Sequence, residues 1–227
     1  NKTVQEEVTK VDPEIKEEEC IIELAGDFVF RYPNGYKKDE NGNQMINFVE
    51  ATSSFSADKN CYNLTGKNWK VGDIFQLVAR NVPAGKSVYV FSIDPENKLE
   101  LHWPKENTKI FDPEKDAFST IPLATYMPSE NAEVIIPGVE NALQLSAPGD
   151  DFLCVLYSNE KIENIDSRLL KVKNSSGDFM SRLRNGFEDI LADENQITYA
   201  RRQMTFDCSA EKGDGVVVPI ILSVTAE

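Results

Sequence analysis

The residues able to do chemistry are few. The chain has one histidine, His102, in "LELHWP", and four cysteines, Cys20, Cys61, Cys154 and Cys208. A serine or cysteine nucleophile needs a base beside it, and a lone histidine leaves little choice of partner. No GxSxG elbow is present either. The cysteines lie far apart with no CxxC pair, so zinc has no closely spaced ligands. Their even number suits disulfides in an oxidising compartment, with three possible connectivities. Against that, Cys154 inside "DFLCVLYS" has the surroundings of a buried free thiol. No catalytic residue, cofactor or metal ligand is assigned from these patterns.

Two loops imitate ligand sites. "RNVPAGKS" ends in the Gly-Lys-Ser of a phosphate loop, but Arg80 stands where the first glycine belongs and Pro83 lacks an amide donor. A strand rather than a helix follows, which removes the helix N-terminus that the mechanism needs. "DENGNQMINFVE", Asp39 to Glu50, has the length of a calcium loop, yet its glycine is fourth where the EF-hand turn needs the sixth. A hairpin loop is the expectation there. The 38 acidic residues could supply a glycosidase pair, but no spacing selects one. Trp69, Trp103 and the tyrosines could form a carbohydrate platform; within strands they read as core.

Strand signals dominate from residue 20 to residue 158. "CIIEL" and "DFVFRY" are followed by the polar loop "NGYKKDENGNQ", then by the extended "MINFVEATSSF". "NWKVGDIFQLVARN" has the mixed pattern of a strand buried on one or both faces. "VYVFSI" and "LELHW" flank "DPENK", a type I turn with Pro95 at its second position and Asp94 able to bond its own backbone. Strict alternation would put Leu99, Leu101 and Trp103 on one face and Glu100 with His102 on the solvated one. Farther on come Pro122, Pro128, Pro137 and Pro148, with "ALQLSA" and the wholly apolar "FLCVLYS" as short strands, the latter central.

After residue 160 the period changes. "IDSRLLKVK" and "DFMSRLRNGFEDILAD" read as helical, with Phe179, Leu183, Phe187, Ile190 and Leu191 on one face and Asp178 or Ser176 as cap. The end, "ITYARRQMTFDCSAEKGDGVVVPIILSVTAE", reads as a terminal β-hairpin around "EKGDG". The fold class is therefore mainly β and β-sandwich-like, with a helical segment over 165–192 packed on the sheets and a terminal hairpin over 196–225. Residues 1–19, polar and charge-dense, read as a flexible lead, and 20–227 as one domain.

The 227 residues carry a net charge of −14, which repels nucleic acid and anionic lipid. The basic stretches "SRLLKVK" and "SRLRN" sit at helical spacing and read as a solvated face. No apolar run approaches the roughly 18 residues of a membrane span. A chain opening "NKTVQEEV", without initiator methionine or apolar signal core, suits an exported protein whose signal peptide has been removed.

From about residue 69 to 165 the order of features resembles a bacterial family known as domain of unknown function 4384. Its pieces are Gly72-Asp73 entering a strand, "YVFSID" with its turn, and Trp103-Pro104 closing a strand. Ile121-Pro122, Ile136-Pro137, Gly149 with acidic neighbours, and "VLYS" follow in order. His102-Trp103 stands where the family more often has Leu-Phe. The resemblance implies an exported or envelope-associated module, and it brings no catalytic residues. The expected function is non-catalytic binding of a protein or surface glycan, in a secreted, periplasmic or envelope-anchored setting. The alternative is a carboxylate-dependent hydrolase acting on an envelope glycan.

Overall fold

A computed structural model describes residues 21–82, 85–104, 108–112, 117–121, 132–138, 141–211 and 217–227. The expected lead, Cys20, Pro122, Pro128 and most of the "EKGDG" turn lie outside the described residues.

Two sheets face each other. The larger contains β1 (Ile21–Lys38), β2 (Gln44–Glu50), β5 (Ile74–Val82), β8 (Thr108–Asp112), β9 (Ala117–Ile121), β10 (Ala132–Ile136), β11 (Leu143–Gln144), β13 (Ile197–Tyr199) and β14 (Met204–Glu211). The smaller runs in the order β3 (Thr52–Ser56), β4 (Cys61–Thr65), β15 (Val217–Ala226), β12 (Gly149–Ser158), β6 (Ser87–Ile93) and β7 (Leu99–Trp103). Between them lies one core, with Phe28, Phe30 and Leu77 from the larger sheet against Val90, Val155 and Tyr157 from the smaller. Tyr62 of β4 donates its hydroxyl to the carbonyls of Ala200 and Thr205, at 2.9 and 3.1 Å, tying the sheets together at one side.

The smaller sheet is covered on its other face too. Phe91, Cys154, Leu156 and Ile221 point away from the sandwich and pack under α1 (Ile165–Asn174) and α2 (Phe179–Phe187). "FLCVLYS" is apolar throughout because alternate residues serve two different cores. Asp178 caps α2, accepting from the Ser181 amide at 2.8 Å. Leu183 and Phe187 carry the buried face, while Ile190 and Leu191 fall beyond the helix and still pack against that cluster. The two helices meet closely at Gly186, where a Cβ would lie 2.6 Å from Val172 Cγ2 and 2.8 Å from the Arg168 carbonyl oxygen.

Two expectations are corrected. The terminal strands form no hairpin: β14 pairs with β1 and β13 in the larger sheet, whereas β15 pairs with β12 and β4 in the smaller. Their patterning explains the split. β14 buries alternate residues, Met204, Phe206 and Cys208, as a one-faced strand does, while β15 is buried nearly throughout and takes an interior position. The second correction is that "NGYKK" is not loop. β1 continues to Lys38 through a bulge after Pro33 and pairs with β2, leaving Asp39–Asn43 as the turn. Asp39 holds that turn through the amides of Asn41 and Asn43, so the calcium-loop imitation is a hairpin, as expected. The resulting arm exposes Tyr36, Met45 and Ile46.

Phe187 is fully buried between helices and sheet. Phe187→Ala is expected to lower unfolding free energy by about 3–5 kcal/mol in urea titration. Tyr36→Ala on the arm should change it by no more than about 0.5 kcal/mol. Equal, small effects of both would mean the helices do not dock on the sheet.

Candidate functional site

The site begins with alternation in β12. Leu153, Val155 and Tyr157 point into the space between the sheets, and a period of two carries that phase back to Asp151. A carboxylate thus stands where the strand otherwise places core residues, and Asp151 is only 7% exposed. On the neighbouring strand the inward phase of Val88 and Val90 continues to Ser92, opposite Leu153. Asp94 follows at the turn. These residues converge on a cavity of about 240 Å³ at one end of the sandwich, with Phe75 and Leu143 as its apolar wall on the larger sheet.

His102 also lines this cavity and is 5% exposed, which corrects the expectation of a solvent-facing ring. The cause is a bulge. Val90 pairs with Trp103 but Phe91 pairs with Leu101, so His102 is the extra residue. Alternation breaks there: Leu101 stays on the helix side with Phe91, and Trp103 turns into the inter-sheet core with Val90. The freed imidazole lies with Nε2 2.7 Å from Ser92 Oγ and Nδ1 3.9 Å from the Glu100 carboxylate. The hairpin itself is as expected.

The two aspartates of the cavity differ in their partners. Asp94 Oδ1 accepts from the amides of Glu96 and Lys98, at 3.0 and 2.7 Å, and Oδ2 accepts from Ser146 Oγ at 3.3 Å. Asp151 Oδ2 is buried and receives no hydrogen bond among the described residues. Burial first, then the neighbouring charges of Asp94 and Asp150, push the Asp151 carboxyl up to about 6.

The other expected sites resolve simply. Trp69 and Trp103 are core residues, not a platform. Cys61, Cys154 and Cys208 are free and buried, and burial raises each thiol's pKa, leaving them poor nucleophiles. A bridge involving Cys20 lies outside the described residues. The phosphate-loop imitation joins two strands, with 83–84 outside the described residues. Of the basic residues of the helices, Lys171, Lys173 and Arg184 lie exposed on the expected solvated face, while Arg168 grips Asp189 through both oxygens and Arg182 reaches Asn97 Oδ1 at 2.6 Å. Among the described residues no group of three His, Cys, Asp or Glu side chains is placed to hold a metal ion.

Asp151 was not singled out from the sequence, although its signal is there. A charged residue two positions before Leu153 continues the inward phase of an apolar strand. Asp94 read as a turn former, which it is; the second role comes only from the fold. The chain matches no protein-family model, no curated protein and no solved structure.

A carboxyl whose folded pKa is raised favours its protonated form in the folded state. Its ionisation therefore adds no cost below its unfolded pKa, and the cost of holding the charge is fully present well above pH 6. Asp151→Asn is expected to stabilise the protein by about 1–2 kcal/mol at about pH 8, with the gain vanishing near pH 4. Urea unfolding across that range checks it, and equal stability at the upper end would mean a solvated carboxylate.

Proposed function

We propose that this chain is a non-catalytic recognition module of the bacterial cell envelope that binds a protein or surface glycan. The observation that carries the reading is the end cavity, into which a buried carboxylate points with one oxygen that receives no hydrogen bond among the described residues. A buried carboxyl facing desolvation and neighbouring negative charge points to a role other than stability. The resemblance over residues 69–165 supports the envelope setting. A net charge of −14 favours basic or neutral partners and an association that weakens with salt.

A second reading, a hydrolase acting on an envelope glycan, has an observation of its own. Ser92 and His102 are in hydrogen-bond contact beside Asp151, whose raised pKa suits a general acid. One paired experiment separates the two. A hydrolase panel is run on wild type and Asp151→Asn beside a pull-down from envelope extract at low and high salt. Salt-sensitive capture without turnover is the expected result. Turnover abolished in Asp151→Asn would overturn the binding reading in favour of the hydrolase.

A further inference from the structure

Resting on the recognition reading, we infer that the end cavity receives the ammonium group of a lysine side chain presented by a protein partner. Asp151 is more than nine-tenths buried, its β12 phase aims it into the gap between the sheets, and Oδ2 has no hydrogen-bond donor among the described residues. A missing donor at a buried carboxylate is what a bound ammonium supplies. Asp94 and Asp150 add negative charge close enough to act on Asp151. A cation entering there relieves a repulsion that the free protein carries.

The chemistry of the cation follows from the walls. A metal ion would need three converging His, Cys, Asp or Glu ligands, and no such group exists among the described residues. Phe75, Leu143 and Leu153 give the cavity an apolar side suited to a methylene stem. An amino sugar would have to set part of its ring hydroxyls against that wall, whereas a methylene stem has none to desolvate. A cavity of about 240 Å³ accommodates one slender side chain rather than a folded ligand. The protein's own Lys98 does not occupy it fully: its side chain is 71% exposed and its Nζ lies 3.7 Å from Glu100 at the rim. Ser92 Oγ and the pinned Asp94 carboxylate stand beside Asp151 as further acceptors.

The test is an NMR titration of the full chain with three small probes, N-acetyl-lysine amide, N-acetyl-norleucine amide and glucosamine. The lysine probe should shift the amides of Asp151, Ser92 and His102 with saturating, millimolar-range affinity, and norleucine should not. Asp151→Asn, once a dispersed spectrum shows its fold intact, should weaken the lysine probe by about tenfold or more, the factor that a charged hydrogen bond carries. Asp94→Asn should weaken it less. Equal binding of norleucine, unchanged affinity in Asp151→Asn, or no shift at these amides with the lysine probe would each overturn the inference. Glucosamine shifting them in its place would also overturn it and assign the cavity to an amino sugar. Envelope capture that persists in Asp151→Asn would leave the recognition reading standing while sinking the lysine site.

Discussion

β12 and β15 pair along their full lengths, from Gly149 opposite Ala226 to Ser158 opposite Val217, and beyond the exposed Asp150–Thr225 end both are buried on both faces. That pairing places a demand on everything around it. One face of the smaller sheet must be covered by the larger sheet and the other by the helices, so a three-layer arrangement follows from two apolar strands. The close approach at Gly186 and the docking of Phe187 serve the second cover. The tyrosine ties from β4 serve the first.

The site is a consequence of where that demand ends. β12 enters the core with Asp151 and only then becomes wholly apolar, so the inter-sheet space opens onto a carboxylate. The hairpin beside it contributes twice, through the Asp94 turn and through a bulge that rotates His102 inward. A regular hairpin would have left that ring in solvent and the cavity without an imidazole. The site is carried on paired strands at the end of a sandwich, which suits a rigid scaffold.

Much of this was legible from residues alone. The change from period two to helical period after residue 160, the Asp178 cap, the Asp94 turn and the central place of "FLCVLYS" all rest on local rules, and the structure follows them. What was not legible rests on pairing between distant segments. "EKGDG" has the composition of a hairpin turn, but which sheet each flanking strand joins depends on whether one face or two can be buried. The His102 bulge is a register effect between β6 and β7 that leaves no mark in composition. Nor could spacing reveal that Asp94 and Asp151, separated in sequence by β7 and by four strands of the larger sheet, line one cavity.

The fold holds the Asp151 carboxyl between its sheets, poorly solvated and beside other negative charge. Carbon-detected NMR titration of that carboxyl in the free protein tests it most directly. A midpoint near 6, well above an ordinary aspartate, is expected. A midpoint at or below about 4, the value of a solvated side chain, would contradict it.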